Sequence, residues 1–423
     1  MPAASREFSV HDLANRLAAL SDFGSAGAGV TRLAYDPAWL EAHRWLRDEA
    51  DRLGLDATSD WAGNLFFHSP DIDPDTSEPV LLVGSHLDSV VGGGRFDGAF
   101  GVVSGLLTAA SLQGQPGVPI VGFATAEEED SRFHGGMMGA RSLLGLVSPD
   151  ELDAVRDADG VSWAEALAVA CAEGCAAPMP SGLPPRAPRI PLARSLELHV
   201  EQGPTLEAEG LALGIVTRVA GYRRWRARFD GEARHSGTTP MGHRKDALAA
   251  AAELVLAVES LARERGEPAV GTAGRIEAEP GLFNVVPGRC EVWLELRHSE
   301  SRALDVLETE LGRRAAGVAE RRGLALTFER VSTQEPSALD ATLGDAARDV
   351  AAELGVTSCR MVSGAAHDTM VFARSGVPSL LLFVPSQGGI SHSPDEYTDA
   401  EQLFAGHRVG LELCRRLSAR SAT

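Results

Sequence analysis

Three histidines and two acids carry the chemistry most readily found in this sequence: His86, Asp97, Glu129, His199 and His392. Each sits where an apolar, strand-like run gives way to a Gly-rich or acidic loop. Leu81-Leu82-Val83-Gly84-Ser85-His86 is followed by Asp88, the triplet Gly92 to Gly94 and Arg95-Phe96-Asp97-Gly98. Ile120-Val121-Gly122-Phe123-Ala124 leads into Glu127-Glu128-Glu129, and Leu196-Glu197-Leu198-His199 into Val200-Glu201-Gln202-Gly203-Pro204. Leu380 to Val384 precedes Gly388-Gly389-Ile390-Ser391-His392. One histidine after a strand is ordinarily a hydrogen-bonded core residue. Three in this context, with acidic segments beside them, read as one dinuclear metal site. Imidazole and carboxylate together suit zinc first, then manganese, cobalt or nickel. A carboxylate shared by two ions would hold them roughly 3.5–4 Å apart, a spacing that lets a bridging water act as nucleophile near neutral pH.

The Glu127-Glu128-Glu129 run holds more carboxylates than one metal needs. A useful division is one ligand and one free carboxylate that takes a proton from the attacking water and hands it to the leaving amine. His235, in His235-Ser236-Gly237-Thr238-Thr239-Pro240-Met241, reads either as a surface histidine in a capped loop or as a donor to a developing oxyanion. Asn284, in Phe283-Asn284-Val285-Val286-Pro287-Gly288, and Arg297, ending Trp293-Leu294-Glu295-Leu296, could hold a substrate carboxylate. A guanidinium fork pairs with that group bidentately.

These residues need a scaffold, and the sequence outlines one. The N-terminal part alternates strand-like and helix-like stretches, with a Gly-started Ala/Leu-rich helix expected over 97–112. That βαβ rhythm predicts an α/β fold with a mostly parallel sheet covered by helices. Ala176 to Arg194, rich in Pro, Ala and Arg, reads as an exposed loop. From about Gly214 the texture changes: strands are expected at 222–229, 270–277, 289–297 and 327–331, and helices at 246–264 and 301–322. Four strands and two helices make an inserted α+β domain over 214–331. His199 and His392 flank it, so residues 1–213 and 332–423 must build one discontinuous catalytic domain.

With 423 residues, the chain has room for two cores. A formal charge of −20 argues against nucleic acid or an anionic membrane as partner. Met1 to Leu20 reads as a surface helix rather than a signal peptide, and no run approaches a membrane span. Five irregularly spaced cysteines fit reduced thiols, hence a cytoplasmic protein, with Cys171 and Cys175 as packing residues.

Taken together and in order, these segments resemble the carbamoylase/allantoate-amidohydrolase branch of the M20 metallopeptidase family. The likeness rests on Gly84 to Ser89, Gly93 to Gly98, Glu128-Glu129 with Ser131-Arg132-Phe133, and Leu198 to Pro204. It continues through His235 to Met241, Asn284 to Gly288, Arg297-His298, His367-Asp368 and Gly389 to Pro394. The resemblance implies that His86 and His199 bind one divalent ion, Glu129 and His392 the other, and that Asp97 bridges them. It makes Glu128 the general base, Asp88 a carboxylate that orients the first ligand, and Gln202, His235, Asn284, Arg297 and Gly389 the substrate shell. It places His367 and Asp368 near the site. It also implies a homodimer joined through the inserted dimerisation or lid domain, and a small anionic ureido substrate. The expected reaction is cleavage of an N-carbamoyl-L-amino acid to amino acid, CO2 and ammonia. Allantoate hydrolysis is the alternative, ahead of a dipeptidase or N-acyl deacylase and of a non-catalytic binding protein on the same fold. The sequence departs from the usual pattern at Asp130, where the family has Gly, at Ala366, and at Val90-Val91-Gly92.

Overall fold

The computed structural model describes residues 6–25, 27, 29–72, 78–179 and 192–420. The chain divides into two compact units, one of Met1–Thr217, Ala338–Met361 and His367–Thr423, the other of Arg218–Ser337 with Val362–Ala366. The expected domain limits of 214 and 331 differ from these by a few residues, and the return of 362–366 to the smaller unit has no counterpart in the sequence reading.

The large unit is built on a nine-stranded mixed sheet. Its centre is four parallel strands in the order Ile120–Thr125, Val80–His86, Leu192–Val200 and Ser379–Val384. Leu65–His68 adds antiparallel at one side and Leu213–Val219 at the other. Strands Val80–His86, Ile120–Thr125 and Ser379–Val384 are buried along their whole length, as strands covered on both faces must be. The expected helix spans Ala99–Ser111, and every residue of it is buried. A helix with no charged residue, and no polar side chain beyond Ser104, Thr108 and Ser111, belongs in the interior. Its Phe100, Val103, Leu106 and Leu107 join the main core.

Two sequence expectations are corrected here. The N-terminal helix, Val10–Asp22, is amphipathic: Leu13, Leu17 and Leu20 recur at helical spacing and are buried in the main core, so only its other face is a surface. The loop expected over 176–194 falls largely on residues 180–191, outside the described residues, and Leu192–Arg194 already belongs to a strand. All five cysteines are free thiols, and Cys175 is buried with its Sγ 3.7 Å from the Leu40 carbonyl.

The smaller unit is a four-stranded antiparallel sheet ordered Ala325–Gln334, Gly221–Asp230, Arg289–His298, Val270–Glu279. Strict alternation writes this fold into the chain. Trp225, Ala227 and Phe229 on one strand and Cys290, Val292, Leu294 and Leu296 on its neighbour are buried in a core shared with helices Ala247–Arg265 and Ser301–Arg322. The intervening positions Arg226, Arg228, Glu291 and Glu295 carry charge, and Trp293 stands among them. Asp246 caps the first of these helices by accepting from Ala249 N at 3.0 Å.

No helix among the described residues is long and apolar enough to cross a membrane.

One buried group gives the large unit a pH dependence of its own. His407, on helix Ala400–Arg420, is 1% exposed, its Nδ1 has no hydrogen-bond partner, and burial pushes its pKa down from 6.5 to about 4. The folded state therefore binds this proton less readily than the unfolded chain. The associated stability is intact above pH 6.5 and is lost as pH falls through 4, amounting to about 2 kcal/mol by pH 5. The parent is predicted to lose about that much more unfolding free energy between pH 7.5 and 5.0 than His407→Leu does. Identical losses in denaturant titrations would refute the assignment.

Candidate metal centre

The four parallel strands deliver all five candidate ligands to their carboxyl ends. His86 ends Val80–His86, and His199 is one residue from the end of Leu192–Val200. From the His86 strand the chain steps to Ile120–Thr125 on one side and returns to Leu192–Val200 on the other. The two histidines thus stand where strand order reverses, the place where open α/β sheets bind ligands. Asp97 and Glu129 follow on the loops after the first two strands, and His392 on the loop after Ser379–Val384.

Local constraints fix each side chain. The His86 Nδ1 lies 2.9 Å from the Asp88 carbonyl and the His199 Nδ1 2.9 Å from the Val200 carbonyl. A carbonyl only accepts, so each Nδ1 holds a proton and in the neutral ring each Nε2 presents its lone pair. Gly98 enters the helix Ala99–Ser111 with φ +63°, and a Cβ there would stand 2.4 Å from His86 Cε1. Only glycine lets Asp97 and His86 approach this closely. Its N–H points at His199 Nε2, 3.1 Å away.

The donor atoms then fall into two sets sharing one residue. Asp97 Oδ1 lies 3.2 Å from His86 Nε2 and 3.0 Å from His199 Nε2, and those two nitrogens are 3.3 Å apart. Asp97 Oδ2 faces the other way, 3.4 Å from His392 Nε2, which is 3.3 Å from Glu129 Oε2. In each set, His86–Asp97–His199 and Asp97–Glu129–His392, the ligand atoms all lie within 4.8 Å of one another. Asp97 Oδ1 and Glu129 Oε1 are buried without a hydrogen-bond partner. Buried oxygens in that condition are costly unless a cation satisfies them. Three nitrogen and oxygen donors per set, two of the sets joined by one carboxylate, fit a pair of divalent ions.

Burial would favour the neutral form of Asp97, but His199, His392 and His86 hold its carboxyl well below the usual range. Glu128 goes the other way. Burial, reinforced by Glu129, Asp368 and Glu197, pushes its carboxyl well above the usual range against the pull of His86. Its Oε2 stands 4.0 Å from His86 Nε2, and it belongs to neither donor set. Glu128 is thus the spare carboxylate beside the centre.

The remaining large-unit candidates cluster around these ligands. Gln202, at φ +58°, donates from Nε2 to Asp97 Oδ2 at 2.8 Å and lies 3.2 Å from His392 Nε2. Gly389 closes the short turn Gln387–Gly389 against the Gly203–Pro204 backbone. The Asp88 carboxylate stands 3.9 Å from His86 Nδ1. It accepts from the backbone N–H groups of Glu128 and Glu129, both at 3.1 Å, while the Asp88 main-chain carbonyl orients His86. His367 is buried with its ring edge-on to His199, centroids 4.7 Å apart. Burial and the neighbouring His199 keep it neutral, well below the ordinary histidine range. Asp368 is buried beside Thr125, which hydrogen-bonds to it, and burial with the nearby Glu197 pushes its pKa up to about 8. Asp130 takes φ +53° and accepts from Gly136 N at 2.6 Å, a tether glycine could not make. Sequence reasoning missed Glu396, whose buried carboxylate accepts from Phe96 N and Asp97 N. Its one signal was an acid shortly after His392 in the same loop.

Three candidates belong to the smaller unit. His235 is exposed, and its Nδ1 accepts from Gly237 N at 3.1 Å and Thr238 N at 3.3 Å. In the neutral ring the proton is therefore on Nε2, which faces outward as a donor. Asn284 is exposed beside it, its main-chain carbonyl accepting from Ser236 N at 2.9 Å. Arg297 is held by Glu295 through Nε at 2.5 Å and by the Gly364 carbonyl through Nη1 at 2.8 Å.

A family model described as peptidase family M20/M25/M40 matches residues 82–416, which include every candidate residue above. The chain belongs to this family. Among its relatives, an allantoate amidohydrolase of Bacillus subtilis is 36% identical over 404 residues, covering 94% of this chain and 95% of that protein. An N-carbamoyl-L-amino-acid amidohydrolase of Paenarthrobacter aurescens is 38% identical over 402 residues, covering 94% and 95%. The crystal structure of an amidase of the hydantoinase/carbamoylase family from Burkholderia multivorans superposes with a TM-score of 0.86 at 30% identity, covering 98% of both chains. Membership makes the chain a metal-dependent amide hydrolase.

The split between ligand and spare carboxylate is testable. Glu128→Gln should keep its metal and lose about 10²–10⁴-fold in kcat, the usual worth of a positioned general base. Glu129→Gln should lose metal. Elemental analysis beside kcat decides, and the opposite pattern would exchange the two roles.

Proposed function

We propose that this chain is a binuclear-metal amidohydrolase that cleaves the ureido C–N bond of N-carbamoyl-L-amino acids, releasing the amino acid, CO2 and ammonia. The observation that carries the two-metal reading is the pair of Asp97 oxygens facing separate donor sets. Two divalent ions, zinc first, would polarise the ureido carbonyl and make water nucleophilic near neutral pH. His86 and His199 would hold one and Glu129 and His392 the other, with Asp97 offering an oxygen to each. Glu128 takes a proton from the attacking water and returns it to the leaving nitrogen, which balances cleavage of the first C–N bond; the carbamic acid left behind loses CO2 and frees the second nitrogen. His235 donates from Nε2 to the carbonyl oxygen as it gains charge. Arg297, its guanidinium steered by Glu295, binds the substrate α-carboxylate, with Asn284, Gln202 and Gly389 completing the shell. Hydrolysis of allantoate is the second reading, favoured by the relative of that name. Both substrates offer a ureido group and a carboxylate, and the same machinery serves either.

The test is ammonia release from zinc- or manganese-loaded protein given N-carbamoyl-L-amino acids, allantoate and dipeptides. Arg297→Ala should weaken only substrates with a free α-carboxylate, by about 2–5 kcal/mol in kcat/KM. An N-carbamoyl amine should be poor for the parent and indifferent to the change. Equal losses on both would make Arg297 structural.

We propose further that the protein works as a homodimer joined through its smaller units, and that each His235 serves the partner's metals. Glu128→Ala and His235→Ala proteins should each be nearly inactive. After random subunit exchange at equal amounts, half the dimers are mixed, and about a quarter of all sites should recover. If His235 serves its own chain, every site keeps one defect and nothing recovers.

A further inference from the structure

The loop that carries Asp97 and the loop that carries His392 are joined by a residue with no role so far. Glu396 is 1% exposed. Its Oε1 accepts from the backbone N–H of Phe96 at 2.8 Å and of Asp97 at 3.2 Å. Its Oε2 lies 2.9 Å from the Ser391 hydroxyl, and that hydroxyl is also 2.9 Å from Asp97 Oδ2. The carboxylate therefore touches the shared ligand twice, at its main chain directly and at its side chain through Ser391, the residue before His392.

Space for this contact is made on the opposite loop. A Cβ on Gly94 would stand 2.1 Å from the Glu396 Cδ and 2.5 Å from its Cβ. Any side chain at 94 would displace the carboxylate, so the glycine forms a cradle for a group some three hundred positions away in sequence. The same device appears across the centre, where Asp88 accepts from the consecutive N–H groups of Glu128 and Glu129. Asp88 thus fixes the acidic loop. Glu396 plays the equivalent part for Phe96 and Asp97, while Gly92 N and Gly93 N farther back in the loop are held by the Thr31 hydroxyl and the Val30 carbonyl.

We infer that Glu396 is a positioning residue of the metal centre, clamping the Asp97 loop to the His392 loop so that Asp97 Oδ2 and His392 Nε2 meet. It touches neither metal nor substrate and acts through Asp97 and Ser391. The inference rests on the two-metal reading proposed above. Its requirement is hydrogen-bonding shape: an acceptor for two N–H groups and a second atom that can bond the Ser391 hydroxyl. Gln at 396 meets that requirement, since its carbonyl accepts and its amide donates. Ala meets none of it.

Zinc binding tests the clamp without recourse to catalysis. Each protein is equilibrated with buffered zinc, its metal content is measured by elemental analysis, and affinities are obtained by competition with a chelating dye. The parent should take up two zinc ions. Glu396→Ala should bind the weaker of the two roughly 10–100-fold less tightly, the usual cost of losing a partner behind a ligand. Glu396→Gln should stay within about threefold of the parent, because the amide keeps an acceptor and adds a donor. A role confined to fold stability would lower the melting temperature without this selective loss or its rescue by Gln. Should Glu396→Ala fail to fold, Ser391→Ala cuts the same link from the far side and should weaken zinc in the same sense. Parent-like zinc binding by Glu396→Ala, or by Ser391→Ala in its place, overturns the clamp, as does Gln binding as weakly as Ala. A parent that takes up fewer than two zinc ions overturns the binuclear reading instead, so the two failures are distinguishable.

Discussion

Carboxylates buried side by side repel one another, and a fold that collects them must supply protons or positive charge at every oxygen. The large unit gathers Asp88, Asp97, Glu127, Glu128, Glu129, Glu197, Asp368 and Glu396 at the carboxyl ends of its parallel strands. Peptide N–H groups answer several of them: Asp88 accepts from two consecutive amides, and Glu127 accepts from Phe133 N at 2.6 Å. Glu197 accepts from Ser85 Oγ at 2.8 Å and Thr369 N at 3.0 Å. The same arrangement recurs nearby in Glu201, which accepts from Thr205 N and Leu206 N, both at 2.8 Å. Four oxygens of the group are buried without a partner: Asp97 Oδ1 and Glu129 Oε1, on proposed ligands, and Glu127 Oε2 and Asp368 Oδ1, on carboxyls whose pKa burial raises. A cation would satisfy the first two, and a proton held on the carboxyl serves the others.

Backbone conformation follows from the same demand. Of the non-glycine residues in the left-handed region, Glu127, Asp130, Gln202 and His392 all belong to loops of the centre. Such conformations cost free energy and persist where surrounding contacts over-determine them. Here the contacts are identifiable. The Glu128 and Glu129 amides are tied to Asp88, Asp130 to Gly136 N, and Gln202 N to Ser386 Oγ at 3.1 Å. The smaller unit uses charge differently. Its exposed sheet positions pair Arg224 with Glu295 at 2.6 Å and Arg226 with Glu329 at 2.8 Å. Half-exposed pairs of this kind contribute little stability. Their effect is to fix the direction of guanidinium groups, Arg297 among them.

What could be read from the sequence was whatever has a period or a boundary. The alternation over Gly221–Asp230 and Arg289–His298 announces a sheet with one covered face, and the apolar runs before His86, His199 and Glu129 announce strand ends. The candidate ligands stood out because His86 and His199 interrupt such runs and Asp97, Glu129 and His392 lie in the loops that follow them. Glu396 was not, since it lies in a polar loop where an acid is unremarkable, and its partners Phe96 and Asp97 are distant in sequence. The part played by Asp88 is wider than its motif announces. The motif places it next to His86, but the carboxylate turns toward another loop and leaves the adjacent work to its carbonyl. The Leu13, Leu17 and Leu20 stripe was visible in principle, hidden among the charges of Asp12 and Arg16. The limits of the smaller unit depend on the return of Val362–Ala366, which only tertiary contact reveals.

The position of strand Ser379–Val384 has a consequence for biosynthesis. It lies inside the sheet, parallel to Leu192–Val200 on one side and antiparallel to Leu213–Val219 on the other. Those two neighbours leave the ribosome long before it does, with the whole smaller unit made in between. Until Ser379–Val384 arrives, each presents an open edge of unpaired N–H and C=O groups beside a wholly apolar slot, the condition that favours association between nascent chains. The smaller unit has a core of its own to form around during that interval, whereas the sheet end that carries the candidate ligands lacks an inner strand. A polypeptide released early, even one holding His86, Asp97, Glu129 and His199, would be a sheet missing an inner strand, and its burden would fall on chaperones.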